Sequence, residues 1–226
     1  MKATDDYILS RVATLWDRPY EDHVVDVYID GSCEVNPGIG GWGVFALHDA
    51  KYEILYGGGD REKTTNQRME LTAAIKALKH FSSQSNYYQL TIYSDSKYVV
   101  DGITNWIYGW KMRGWVNSQG KPVANEDLWQ ELDRLVCLYS NPINWQWVKG
   151  HSGNTANEIS DQLARIRAKT FPDCDTAVFG PRGMQSDTHD SAPLSHLRQC
   201  IDLLKNETPS LWKNVLAEWP HLADLK

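Results

Sequence analysis

Cysteine is scarce. The 226 residues hold four, Cys33, Cys137, Cys174 and Cys200, and no two form a Cys-x-x-Cys pair. This excludes a disulfide framework and a cysteine-based zinc site, and the four read as reduced thiols. Long apolar runs are missing as well: no stretch reaches the ~18 residues of a membrane-spanning helix, and acids and arginines interrupt the N-terminal segment where a signal peptide needs an apolar block. The chain is therefore expected to be cytoplasmic, with no membrane partner. Excess positive charge is also absent, the formal net charge being −6 at pH 7. Bulk disorder is excluded, because 42% hydrophobic and 23% charged residues match globular averages. The length suits one domain of about 150 residues with added segments, read as a monomer.

The net charge misleads about a nucleic-acid partner. Residues 24–170 carry fifteen Lys and Arg against sixteen Asp and Glu, whereas most of the acidic excess lies in residues 1–23 and 171–226. Between Lys97 and Asn125 stand Lys97, Lys111, Arg113 and Lys121 against Asp101 alone. A local basic surface is expected there.

Apolar spacing at Tyr7, Ile8, Leu9, Val12, Leu15 and Trp16 predicts a short N-terminal helix ending before Pro19. The β-branched run 24–29 predicts a strand broken by Asp30-Gly31-Ser32, and residues 44–47 and 52–57 predict two more in an antiparallel meander. Met69, Leu71, Ala74, Ile75 and Leu78 form a stripe that predicts a helix over 68–81, with Thr64, Thr65 and Asn66 as cap candidates. A strand over 89–94 ends on Asp95, and helix resumes from Ser96. Asn125 is expected to cap a helix over 126–139; a strand follows over 143–148 and a helix over 155–169. Residues 171–193 read as a linker rich in Pro, Gly, Asp, Ser and Thr, and 194–226 as a C-terminal helical extension.

Four carboxylates, Asp30, Glu70, Asp95 and Asp161, fall where strands or helices meet the expected edge of the sheet. Each alone has an ordinary reading as a turn former or a solvated acid. Together they suit a site outside the carboxyl ends of the strands. Clustered carboxylates raise one another's pKa and require cations, and an oxygen-only donor set favours Mg²⁺ or Mn²⁺ over Zn²⁺. Two-metal phosphoryl transfer uses such a site.

The runs IDGSC (29–33), NPG (36–38), GGWG (40–43), TTNQRMEL (64–71), YSDSKYV (93–99) and WVKGHSG (147–153), followed by Asn157 and DQLA (161–164), resemble type 1 ribonuclease H over about residues 24–170. The resemblance implies an α/β fold: a five-stranded mixed sheet, three antiparallel strands then two parallel, flanked by helices. It implies an endonuclease that cuts the RNA strand of RNA/DNA hybrids with two Mg²⁺ ions, leaving 5′-phosphate and 3′-hydroxyl ends. It places the metal carboxylates on Asp30, Glu70, Asp95 and Asp161 and a catalytic histidine on His151. Asn36, Asn66 and Gln67 fall in the minor groove by the same resemblance, and Thr65 in a phosphate pocket. Trp106, Lys111 and Arg113 belong to a protrusion gripping the DNA strand. That protrusion is thin in cations here, with Met112, Val116 and Ala124 among its residues. Its tryptophans Trp106, Trp110, Trp115 and Trp129 read equally as core or as groove.

The alternatives are a non-catalytic hybrid-binding protein and a related metal-dependent DNA nuclease. The pattern G-x-G-x-x-G at 38–43 is not a dinucleotide site, because strand rather than helix is expected after it. The acceptor pattern at Asn206 carries no weight without a secretory signal.

Overall fold

Val25, Val27 and Ile29 are fully buried while Asp26 and Tyr28 between them are half-buried, the period-two signature of a strand with a heavily covered face. The computed structural model describes residues 24–48, 51–58, 63–84, 88–170, 176–179, 202, 205–206 and 208–218. The expected helix over 7–16 and much of the linker lie outside these. The order is β1 (Val24–Cys33), β2 (Gly40–His48), β3 (Lys51–Gly58), α1 (Asn66–Gln84), β4 (Gln89–Ser94), α2 (Lys97–Asp101), a π-helical turn (Gly102–Trp106), α3 (Ile107–Met112), α4 (Glu126–Leu138), β5 (Ile143–Trp147), α5 (Thr155–Thr170), β6 (Thr176–Phe179) and α6 (Pro209–Glu218).

The sheet runs β5-β4-β1-β2-β3-β6. β1 pairs antiparallel with β2 and parallel with β4; β5 adds parallel to β4 and β3 antiparallel to β2. The expected mixed sheet is present, with one strand more than the five expected. The sixth comes from the segment read as linker, where Thr176–Phe179 pairs antiparallel with β3 over Glu53–Tyr56. Four residues carry too short a pattern to stand out from a polar stretch, and an open sheet edge supplies the pairing. In the C-terminal extension α6 packs against α5 and buries Leu211.

The strand containing Asp30 does not break there. It runs on to Cys33 because Gly31, Ser32 and Cys33 keep their partners Trp42, Gly41 and Gly40 on β2. Glycines at 40, 41 and 43 therefore lie within a strand. Gly41 and Gly43 admit α5: a Cβ on Gly43 would lie 2.5 Å from Ser160 O and 2.7 Å from Leu163 Cβ, and one on Gly41 would meet Ala164 O. The opposite face of the sheet, through Val27, Ile29, Val44, Leu90 and Ile92, packs with α1 and α4 in one core.

Helix α4 buries Trp129, Leu132 and Leu135 along one stripe and carries Glu126 and Asp127 in its first turn, where acids favour the positive helix end. Asn125 stands at its N-cap position but makes no side-chain cap bond, since its backbone is left-handed (φ 58°). Its amide turns instead to Tyr98, donating to Oη at 3.2 Å. The same Oη accepts from Trp129 Nε1 at 2.8 Å and donates to Ala124 O at 3.1 Å, so one hydroxyl ties the protrusion to α2 and α4. Tyr98→Phe leaves the N–H of a fully buried tryptophan unpaired. We expect a loss of about 1–3 kcal/mol in urea denaturation, and an unchanged midpoint refutes the hub.

Candidate active site

Asp30 sits within β1, where Gly31 N donates to its Oδ1 at 2.6 Å. Glu70 comes to it because Gly31 lets the strand meet the first turns of α1: a Cβ there would collide with the backbone of Met69 and Glu70. Asp95 follows β4, the parallel neighbour of β1. One ligand atom from each of Asp30, Glu70 and Asp95 lies within 4.8 Å of the others. Asp161, on α5, stands outside that group. Its Oδ1 accepts from Arg165 Nε at 2.8 Å, one helical turn on. Of the four expected carboxylates, three are thus gathered, and the fourth is engaged by Arg165 of its own helix.

Burial holds Asp30 well above the usual carboxylate range, and the charges of Asp95 and then Asp161 push it further up. Glu70 is raised likewise, first by burial and then by Asp30, Asp95 and Asp161. Asp161 is raised by burial, with Arg165 and His151 opposing and Asp95 adding to the rise. Glu70 Oε2 is buried and has no hydrogen-bond partner. An unpaired buried carboxylate oxygen beside two other acids is costly unless a cation sits there. Oxygen donors alone suit a hard divalent cation.

Asp95 is held from three directions. Trp147 Nε1 donates to its carbonyl at 3.0 Å, Asn157 Nδ2 lies 3.5 Å from Oδ2, and the backbone at Gly150 is so close that a Cβ would strike Oδ2. The motifs contain Asn157 and Trp147, yet neither stands out as a site residue in the sequence. No pattern along the chain reports a contact between residues 62 positions apart. Asn157 is 1% exposed and its Oδ1 has no partner.

His151 is exposed, in the loop before α5, with a left-handed backbone (φ 50°). That conformation is strained for a residue with a side chain. The loop is pinned on either side, Ser152 Oγ donating to Lys149 O at 2.6 Å and Gly153 N to Glu158 Oε1 at 3.1 Å.

The residues expected to touch nucleic acid are distributed unevenly. Asn36 and Gln67 are exposed. Thr65 Oγ1 accepts from Arg68 N at 3.3 Å, as a helix cap, and Asn66 Oδ1 accepts from Cys33 N at 2.7 Å, tying the end of β1 to α1. Of the four tryptophans, Trp110 and Trp129 are core, Trp115 is half-buried and Trp106 is 41% exposed. Lys111 is already paired with Asp133 at 2.7 Å, and Arg113 Nε donates to Val116 O at 3.1 Å. The protrusion is therefore less cationic than its composition suggests. Among the described residues no helix is long and apolar enough to cross a membrane.

The family model described as RNase H matches residues 22–169. Ribonuclease H from Erythrobacter litoralis is 49% identical over 140 residues, covering 62% of this chain and 92% of that protein. The Neisseria gonorrhoeae ribonuclease H is 46% identical over 150 residues, covering 66% and 99%. Among solved structures, LC9-RNase H1, described as a type 1 RNase H with the type 2 active-site motif, superposes with a TM-score of 0.62 at 28% identity, covering 79% of this chain and 86% of that one. A family match across most of the chain, on a sheet that gathers three of the motif acids at one end, means that this chain belongs to the ribonuclease H family of enzymes.

Proposed function

We propose that the protein hydrolyses the RNA strand of RNA/DNA hybrids with two divalent cations, Mg²⁺ by preference and Mn²⁺ as substitute, leaving 5′-phosphate and 3′-hydroxyl ends. The observation that carries this reading is the cluster of buried Asp30 with half-buried Glu70 and Asp95, in which one Glu70 oxygen is buried and unpaired. Asp30, Glu70 and Asp95 would hold the cations, with Asp161, now paired with Arg165, as a further ligand. When bound, the cations lower the pKa of the attacking water and stabilise the attacking and leaving oxygens of the phosphate. Glu70 also meets the ribose 2′-hydroxyl, the group that separates RNA from DNA. His151 passes protons at the exposed side of the site. Asn36, Asn66 and Gln67 line the minor groove, Thr65 holds a phosphate, and Trp106, Lys111 and Arg113 face the DNA strand.

The test is cleavage of an end-labelled RNA/DNA hybrid with Mg²⁺ beside single-stranded RNA, duplex RNA and duplex DNA. Cutting confined to the RNA of the hybrid, and lost without metal, supports the reading. Binding without cutting makes the chain a hybrid-binding protein, and cutting of duplex DNA makes it a DNA nuclease.

The engaged cations of the protrusion have a measurable consequence. Each phosphate contact contributes about 0.7–0.9 to the slope of log affinity against log salt. With Lys111 held by Asp133, we expect the hybrid-binding slope to correspond to only a few released ions. A slope corresponding to eight or so contacts, as a strongly basic surface yields, would refute it.

A further inference from the structure

We propose that Arg165 gates the fourth carboxylate: it holds Asp161 in the cation-free protein, and a cation can use Asp161 only by displacing it, so this one ion pair sets how readily the site takes up its second cation. The proposal rests on the two-cation reading above and adds to it a residue outside the four acids. A first cation has its ligands in Asp30, Glu70 and Asp95 without disturbing the pair, since their ligand atoms lie within 4.8 Å of one another and Asp161 is not among them. Of the four acids, only Asp161 forms an ion pair among the described residues, through Arg165 Nε at 2.8 Å.

Oppositely charged residues four apart on a helix surface pair routinely, with both side chains in water. Here the two are unequal: the Asp161 side chain is 11% exposed and that of Arg165 48%. The carboxylate is therefore fixed within the protein, and the guanidinium is the arm that can swing out. Its hold is also of the weaker kind. Arg68 grips Asp127 with two bonds, at 3.0 and 2.8 Å, whereas Arg165 reaches Asp161 through Nε alone, without the fork that makes such pairs strong. When Arg165 leaves, a largely buried carboxylate is stranded, which is costly unless another cation takes its place. The Arg165 charge opposes the rise that burial gives the carboxyls of Asp161 and Asp30, so the acids have in it a resident monovalent counter-charge. A divalent ion does the same with twice the charge. The two compete for one oxygen.

The experiment uses the full chain at neutral pH without nucleic acid, counts free Mn²⁺ by electron paramagnetic resonance during a titration, and follows Tm in EDTA and in a Mg²⁺ series. The parent is expected to bind two Mn²⁺, one tightly and one more weakly. Arg165→Gln is expected to lower the Mn²⁺ concentration that half-fills the weaker position roughly 3–10-fold, more than an exposed pair would give because Asp161 is buried. The tighter position should change less than about 2-fold, the lost charge being farther away and screened. Arg165→Lys, which keeps a cation at the same place on the helix, should stay near the parent. In an Asp161→Asn background Arg165→Gln should change nothing further, whereas a general loss of positive charge acts in both backgrounds. In EDTA Arg165→Gln should have the lower Tm, and Mg²⁺ should close the gap. An unmoved weaker position or a shift that persists with Asp161→Asn overturns the proposal, as does a Tm gap equal with and without Mg²⁺, which marks a structural pair. If the parent binds two Mn²⁺ and only the Arg165 effects are missing, the two-cation reading stands alone. If it binds fewer than two, both fall.

Discussion

Replacing Asp30 with Asn is expected to lower hybrid cleavage by roughly three orders of magnitude while making the metal-free protein more stable. The first effect follows from the place of Asp30 in the carboxylate group, where it is the buried member. A metal-ion site supplies several kcal/mol of transition-state stabilisation, and about 4 kcal/mol is a thousandfold in rate. The second follows from the direction in which its pKa moves. Burial and the neighbouring acids raise the Asp30 carboxyl in the folded state. The folded protein then binds this proton more tightly than the unfolded chain does. Stability is present in full below the unfolded carboxylate range and is lost as pH rises through the raised folded value. Without metal at neutral pH the site is therefore a source of instability, and Asn removes part of it.

The measurement is Tm in EDTA for both proteins from pH 4 to 8, then with Mg²⁺. The variant should exceed the parent at neutral pH by a few degrees, on the scale where ~1 kcal/mol moves a protein of this size by about 2–4 °C. The gap should close towards pH 4. Mg²⁺ should raise the Tm of the parent and have little effect on Asp30→Asn, because binding to the folded state alone stabilises it by mass action. Equal Tm at neutral pH, together with equal response to Mg²⁺, would count against both the electrostatics and the metal site.

Gly31→Ala is the second change with a large expected effect, and it touches no catalytic atom. The added methyl would fall on the backbone of Met69 and Glu70, which cannot step aside as a flexible side chain does. Strand and helix must separate, and Glu70 leaves Asp30. Overpacking of this kind destabilises by about 1–3 kcal/mol, and a misplacement near 1 Å costs about 100-fold in rate. Thermal unfolding and kcat should therefore fall together. Gly120→Ala supplies the contrast: with φ 77° it is strained, but no atom lies within 4 Å of the new methyl, so kcat should hold. Full activity in Gly31→Ala would show that α1 can shift without moving Glu70.

Much of this molecule is legible in its sequence. Strand β4 begins and ends where its alternation does, because Leu90, Ile92 and Ser94 are buried and the residues between them are not. Helix α1 follows its apolar stripe and extends a little beyond 68–81 at each end, where capping and fraying rather than periodicity set the limits. The turn chemistry of Asp30-Gly31-Ser32 predicts a β1 shorter than the strand that forms. Pairing with β2 overrides that preference.

Residue types and their spacing along the chain determined the order of the five expected strands and the helices between them, the family, and which acids could form a site, because hydrophobic period and motif order are local properties. Tertiary structure alone decided that three of those acids share one cation-sized space while Asp161 pairs with Arg165. It alone turned Lys111 away towards Asp133, and brought Trp147 and Asn157 to Asp95. Those are contacts between distant positions. Their energies depend on burial and on which charge lies nearest, and neither exists until the sheet has closed its neighbours together.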